Sequence, residues 1–304
     1  MRFKDRVQAY LELLRIHNVI ATLLTTMMGW LTVRVVAPTL NIASLIIPLF
    51  AVAVISSAGY VINDYFDAEV DKVNKPYRPI PSGRVTAREA LALSLALFLT
   101  GTLPSTFVGL YTTLFVWFNA CVVFLYSYRI KEWGLLGNVV VSLEGAFTII
   151  LGALTPSELL GNLSLVRASL VPALYAFTLL LAREVVKTVE DLRADEVRKV
   201  RSLPRVIGVR KAALVAAALQ AFIVGISPIP YLTGYGYIYL VLALVTDVLI
   251  LSSIVRTVQL GKSENPELIA AKLRSVLKVA IFTGTMAFTF DLLVKILTTE
   301  SLAL

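Results

Sequence analysis

The chain has 304 residues, of which 58% are hydrophobic and 16% are charged, and its formal net charge is +8. This composition excludes an ordinary water-soluble domain, because so few charged residues cannot cover so large an apolar surface. The positive charge calls for no nucleic acid as a partner, since basic residues beside membrane spans set topology and are attracted to anionic lipid headgroups.

Nine apolar stretches are long enough to cross a bilayer as helices, which takes roughly 20 residues each. They lie at about 16–36, 42–62, 90–110, 111–128, 135–155, 167–187, 211–229, 236–255 and 277–298. The first lacks the small-residue cleavage site of a secretory signal, so we expect it to be retained. The sequence therefore predicts an all-α polytopic membrane protein with residues 1–304 in a single transmembrane domain.

The basic residues predict how this domain is oriented. With the N-terminus in the cytoplasm, all of the 28 lysines and arginines except Arg34, Arg167 and Lys295 fall on the cytoplasmic side, as the positive-inside rule requires. Two cytoplasmic segments, 63–89 and 188–210, are too long and too charged to be simple turns. We expect the functional site in these two segments.

The two polar segments resemble one another, which suggests an internal duplication. Asp67 and Asp71 recur as Asp191 and Asp195, and a basic, proline-containing stretch follows each pair. Such a repeat would place two acidic helix ends on either side of one cavity. The predicted units are a first repeat at about 16–128, a second at about 135–255 and a final helix at about 277–298.

Three aspartates continue the second apolar stretch. If the helix persists past residue 62, its rotation of 100° per residue brings Asp64, Asp67 and Asp71 within about 60° of one another on one face. Like charges at this spacing repel each other, so the arrangement needs a neutralising cation. A hard, oxygen-seeking divalent ion such as Mg²⁺ is the natural candidate, and Asn63 is a further oxygen ligand beside it.

A second acidic cluster ends the sixth apolar stretch. The spacing of Glu184, Lys187, Asp191 and Asp195 puts all four on one helical stripe. Taken alone, this pattern is equally typical of an ion-pair ladder at a helix end. Two acidic clusters on one side of the membrane favour the other interpretation, in which Mg²⁺ ions bridge carboxylates to a bound diphosphate.

Basic side chains near these clusters are candidates for holding the diphosphate. Lys75 and Arg78 lie in a loop that its prolines stiffen, and Lys131, Lys187 and Arg129 are further candidates. The chemistry that this set predicts is ionisation of an allylic diphosphate, because metal ions and basic groups stabilise the charge that develops on the departing pyrophosphate.

The allylic cation that remains must be kept from water. A cavity between apolar helices would exclude solvent, and aromatic faces would stabilise the cation. Tyr60, Phe66, Tyr126 and Tyr128 are the expected aromatic lining. Among the ionisable residues within the predicted spans, which are functional candidates by default, Glu144 is favoured as a cavity residue over Asp247 and Asp291.

Together these motifs resemble the UbiA superfamily of intramembrane prenyltransferases, over essentially the whole chain. The matching stretches are Asn63-Asp64-x-x-Asp67-x-x-x-Asp71, Asp191-x-x-x-Asp195, Arg15-x-x-Asn18, Tyr126-Ser127-Tyr128-x-x-Lys131, Gly137-Asn138 and Ser202-Leu203-Pro204. The resemblance implies nine transmembrane helices around a central cavity, capped by the two polar segments and open sideways for a lipid tail.

Within the superfamily, residues 63–83 and 183–187 are most similar to archaeal digeranylgeranylglyceryl phosphate synthases. That branch implies transfer of a geranylgeranyl group from its diphosphate to the sn-2 hydroxyl of geranylgeranylglyceryl phosphate, in archaeal ether-lipid biosynthesis. An aromatic prenyltransferase with a 4-hydroxybenzoate or naphthoate acceptor is the alternative within the family, and a cation or lipid transporter is the alternative outside it.

The site that follows from the motifs and the resemblance has three parts. The expected metal ligands are Asn63, Asp64, Asp67, Asp71, Asp191 and Asp195. The expected diphosphate-binding residues are Asn63, Lys75, Arg78, Lys131 and Lys187. The expected acceptor or cavity residues are Arg15, Asn18, Tyr126, Tyr128, Arg129 and Glu144.

Overall fold

The computed structural model describes residues 3–197 and 200–303, and in this part of the chain it contains helices and no β-strand. The α-helices are α1 (Phe3–Leu14), α2 (Ile16–Val36), α3 (Ile46–Phe66), α4 (Ala68–Asn74), α5 (Ala87–Thr102), α6 (Leu110–Tyr128), α7 (Leu135–Leu159), α8 (Leu170–Glu190), α9 (Leu192–Val197), α10 (Leu203–Ile207), α11 (Val209–Ile226), α12 (Ile229–Leu232), α13 (Tyr237–Gln259) and α14 (Pro266–Ala303).

Nine helical segments of the described chain are long and apolar enough to cross a membrane, which confirms the predicted all-α membrane fold. They are built on α2, α3, α5, α6, α7, α8, α11, α13 and α14. Many of their leucine, valine and phenylalanine side chains face outward, as expected where lipid is the solvent. The protein is therefore an integral membrane protein.

The N-terminal segment forms the amphipathic helix α1. Ala9 and Leu13 of this helix are fully buried against Val61 and Val85. Arg15 separates α1 from α2 in a left-handed backbone conformation, with φ 48° and ψ 51°. That conformation is uncommon for a residue other than glycine, and it ends α1 at the point where the arginine side chain enters the site described below.

Two glycines allow α2 and α7 to pack backbone against backbone. A Cβ atom added to Gly29 would lie 1.9 Å from the carbonyl oxygen of Ile149, and one added to Gly152 would lie 1.9 Å from that of Thr26. Small residues permit this close helix approach in membranes. Between these glycines and Arg15, the same two helices line a cavity.

The two polar segments are partly helical. The first contains α4, and its remainder forms a turn-rich loop that returns to α5. The second contains α9 and α10. Arg205 holds this second segment together by donating to the backbone carbonyl oxygen of Asp195 at 3.0 Å, and Arg274 of α14 pairs with Glu190 at the end of α8 at 2.9 Å.

Candidate active site

A cavity of about 480 Å³ lies between α2, α3, α6, α7 and α8. Its polar lining includes Arg15, Asn63, Tyr126, Arg183, Glu184 and Lys187. Its apolar lining includes Val52, Ile55, Phe115, Val116, Phe147 and Leu151. The charged residues come from helix ends next to the polar segments and the apolar ones from helix interiors, so the cavity is amphipathic along its length.

Arg78 joins two of the predicted metal ligands. Its Nη1 atom donates to Asp64 Oδ1 at 3.0 Å and to Asp71 Oδ2 at 2.5 Å, and Arg15 Nη2 donates to Asp64 Oδ1 at 2.5 Å. Asp64 is 4% exposed and Asp71 is 1% exposed. Charges this deeply buried need a partner, so the arginines compensate for burial of the two carboxylates.

Asp67 has a different partner from its two neighbours. Lys131 Nζ donates to Asp67 Oδ1 at 2.7 Å and to Asn63 Oδ1 at 3.1 Å, and Asn63 Nδ2 donates to Asp67 Oδ2 at 3.0 Å. The helix does not persist unbroken past residue 62 as the shared face assumed, because α3 ends at Phe66 and Asp67 lies at the junction with α4. Asp64 and Asp71 nevertheless share Arg78 as a partner.

The second acidic cluster is interrupted in the same way. Helix α8 ends at Glu190, Asp191 follows it, and Asp195 lies in the next helix, α9. Glu184 is paired with Arg183 and lies 3.5 Å from Lys187. The ion pairing that the spacing offered as an alternative is therefore present at Glu184, while the two aspartates lie beyond the end of the long helix.

Lys75 lies between the two clusters. Partial desolvation and the charge of Arg78 lower the pKa of the Lys75 ammonium, whereas Asp71 and Asp191 act against that shift. One lysine thus interacts electrostatically with an aspartate from each polar segment.

Tyr126, which lines the cavity, interacts electrostatically with Lys187 and Glu184 of α8 and with Asp67 at the end of α3. Asn63 in α3 and Glu184 in α8 line this cavity, whereas the five predicted aspartate ligands lie beside it and not in its lining.

The donor atoms beside this cavity are of the type that Mg²⁺ prefers. Asn63 and the neighbouring aspartates offer hard oxygens. Among the described residues, no three histidine, cysteine, aspartate or glutamate side chains stand close enough to share one ion. The residues nevertheless fit Mg²⁺, because this ion commonly takes only one or two protein carboxylates and completes its shell with substrate phosphates and water. Arginine and lysine side chains pair with the aspartates of the first cluster.

Several residues predicted for the cavity lie outside it. Tyr60 lines the cavity, whereas Phe66 and Tyr128 pack on each other with ring centroids 5.3 Å apart. Tyr128 is exposed, and Arg129 points away to Glu132 at 4.0 Å. Helix α6 ends at Tyr128, and the chain turns at Arg129, so these two side chains face outward. Phe66 is the last residue of α3 and packs on Tyr128.

Arg183 lines the cavity although no role was predicted for it. The sequence could have identified Arg183, because a charged residue within a predicted span is a functional candidate by default. Asn18 also lines the cavity, as expected.

The three carboxyl groups predicted within the spans differ in their bonding. Asp291 accepts hydrogen bonds from the backbone of Gly236 at 2.9 Å and also pairs with Lys295 at 3.2 Å. Asp247 accepts from the Ser227 hydroxyl at 2.5 Å. Glu144 lines the cavity, and its Oε1 atom is buried without a hydrogen-bond partner among the described residues.

Comparison with known proteins identifies relatives over most of the chain. Residues 21–282 match the model of the UbiA prenyltransferase family. A protein from Saccharolobus solfataricus called digeranylgeranylglyceryl phosphate synthase is 36% identical over 93% of this chain and 96% of that protein. A solved structure described as digeranylgeranylglyceryl phosphate synthase in membranes has a TM-score of 0.74 at 28% identity, and the match covers 95% of this chain and 99% of that chain.

A UbiA homologue from Archaeoglobus fulgidus, solved with GPP and Mg²⁺ bound, shares the fold. Its TM-score is 0.60 at 19% identity, and the match covers 92% of this chain and 99% of that chain.

The shared partner of Asp64 and Asp71 makes a prediction about stability. Replacing Arg78 by methionine leaves two buried carboxylates without that cation, so we expect a loss of about 3–5 kcal/mol. Lys72→Met in α4 breaks an exposed pair with Glu69, which should cost less than about 1 kcal/mol. Thermal unfolding in detergent measures both, and equal midpoints for the two variants would contradict the role of Arg78.

Proposed function

Because this chain belongs to the UbiA prenyltransferase family, we propose that it transfers a geranylgeranyl group from geranylgeranyl diphosphate to the sn-2 hydroxyl of geranylgeranylglyceryl phosphate. The reaction forms an ether bond, releases pyrophosphate and belongs to archaeal ether-lipid biosynthesis. The observation behind this choice of acceptor is the 36% identity, over nearly the full length, with the Saccharolobus solfataricus synthase.

The amphipathic lining of the cavity is suited to a substrate with a charged head and an apolar tail. Basic side chains gather at its polar end, where a diphosphate would bind, and valine, isoleucine, leucine and phenylalanine side chains line the rest. Such a pocket buries most of an apolar ligand and leaves a few polar groups to orient it. It also keeps water away from the allylic cation, which would otherwise react with water.

Five residues would hold the diphosphate and stabilise it as it leaves: Asn63, Lys75, Arg78, Lys131 and Lys187. Arg78 and Lys131 both donate to aspartate oxygens. When a diphosphate arrives, these cations have a more highly charged partner, so we infer that they transfer their hydrogen bonds to its oxygens. Donors placed in this way stabilise charge that develops in the transition state.

We assign Mg²⁺ binding to Asn63, Asp64, Asp67, Asp71, Asp191 and Asp195. The carboxylates that lose their basic partners to the diphosphate would become ligands, which couples metal binding to substrate binding. When bound, the ion acts as a Lewis acid on the departing pyrophosphate. The Archaeoglobus fulgidus homologue solved with GPP and Mg²⁺ motivates this assignment.

Product analysis tests the proposed acceptor. We expect the purified protein, given Mg²⁺ and geranylgeranyl diphosphate, to prenylate geranylgeranylglyceryl phosphate and to leave 4-hydroxybenzoate unchanged. A chelator should stop the reaction, and added Mg²⁺ should restore it. Mass spectrometry identifies the products, and an adduct with the aromatic acid alone would refute the proposed acceptor.

Conservative aspartate variants test the metal assignment. Asp67→Asn and Asp191→Asn keep the shape of the side chain but remove the charge that binds the cation, so we expect turnover to fall by at least about 100-fold. Glu69→Gln is the matched control, because Glu69 lies in α4 beside Asp71 but points to solvent and Lys72. Near-normal turnover in either aspartate variant would disprove the assignment.

We also propose that the N-terminus and the candidate site face the cytoplasm, as the distribution of basic residues requires. In a Cys121→Ala background, Val73→Cys probes the side of the membrane that carries the two polar segments, and Phe107→Cys probes the opposite side. Both positions are more than 80% exposed, so a reagent can reach them. A membrane-impermeant maleimide should label Phe107→Cys in intact cells and Val73→Cys only after permeabilisation. The reverse pattern would invert the topology.

A further inference from the structure

Glu144 lies on the stripe of α7 that faces the cavity. Val141, Glu144, Thr148 and Leu151 follow one another at helical spacing, and all four line the cavity. At 1.5 Å per residue, Glu144 lies about 14 Å along the helix from Leu135, its first residue. It is therefore set deeper than the charged helix ends, at the boundary between the polar and the apolar parts of the cavity.

Two carboxylates line the cavity in the described part of the chain, and they differ in their partners. Glu184 is ion-paired with Arg183 and lies near Lys187, so its charge is already balanced. Glu144 Oε1 is buried without a hydrogen-bond partner. Buried polar atoms are almost always bonded, and an unbonded one calls for an explanation.

The neighbouring polar groups on the same wall of the cavity already have hydrogen-bond partners. The Thr148 hydroxyl lies 2.6 Å from that of Thr25 and also donates to the carbonyl oxygen of Gly145 at 2.8 Å. These hydroxyls are thus bonded to each other and to the backbone. The free oxygen of Glu144 is left to accept a hydrogen bond from a molecule inside the cavity.

We propose that Glu144 is the general base that accepts the proton of the acceptor's hydroxyl group. The inference rests on the proposed function. The bond from the allylic carbon to the diphosphate oxygen breaks first, and its electron pair leaves with the pyrophosphate. The hydroxyl oxygen then forms its bond to the allylic cation. The hydroxyl proton passes to the Glu144 carboxylate, so charge and atoms balance.

The other acids of the site are poorly suited to this step. Asp64, Asp67 and Asp71 each accept a hydrogen bond from arginine or lysine, so oxygens of all three carboxylates are already engaged. Their assigned task at the diphosphate also keeps them away from the hydroxyl. A carboxylate in an apolar cavity, with no cation attached, is the better proton acceptor, and a positioned base typically accelerates a reaction by about 10²–10⁴-fold.

Glu144→Gln in the full-length protein tests the proposal, because it keeps the size of the side chain and removes its basicity. We expect transfer to geranylgeranylglyceryl phosphate to fall by at least about 100-fold, with the acceptor KM changed by only a few fold. Slow hydrolysis of geranylgeranyl diphosphate without acceptor should continue, since ionisation of the donor needs no base. An acceptor with a thiol in place of the hydroxyl should restore turnover, because a thiol loses its proton more readily.

Glu158→Gln is the control, since Glu158 lies on the same helix but binds the backbone of Tyr111 and Thr112 at the start of α6. It should transfer the prenyl group as the wild type does. Transfer by Glu144→Gln within about threefold of wild type would overturn the proposal, as would equal loss of transfer and donor hydrolysis. A wild-type protein that makes no ether product would instead overturn the proposed function, and the inference with it.

Discussion

The pairing of buried aspartates with basic side chains is the interaction on which the site depends. Asp64 and Asp71 lie almost completely out of solvent, where an unpaired carboxylate would be very costly. Arg78 bonds both of them from the loop after α4, and Arg15 bonds Asp64 from the junction of α1 and α2. These ion pairs therefore hold a loop and a helix junction against the end of α3.

The same pairing balances charge within the site. Each aspartate of the first cluster has a cation in contact, Arg78 for Asp64 and Asp71 and Lys131 for Asp67. The chain's own basic side chains therefore compensate for burial of these carboxylates. Removing either type of group alone would leave the other uncompensated.

The cavity combines this charged end with a dry interior. Its apolar lining comes from the middle of α3, α6 and α7, where membrane-spanning helices carry few polar residues. The close contact between α2 and α7 at Gly29 and Gly152 brings two of its walls together. Membership of the UbiA prenyltransferase family agrees with this architecture, since an enzyme that handles an allylic cation needs both a place for pyrophosphate and protection from water.

The sequence by itself determined the number of spans, the all-α class, the family and the two acidic clusters. These features depend on apolar length and on short motifs, which are local. The predicted internal repeat stays a prediction. Tertiary structure decided that the helix breaks at Asp67, that Lys131 and Arg78 divide the aspartates between them, and that Tyr128 and Arg129 face outward. It also left Glu144 Oε1 without a hydrogen-bond partner among the residues that the structure describes. Local spacing cannot specify these outcomes, because they depend on where helices end and on contacts between side chains far apart in the chain.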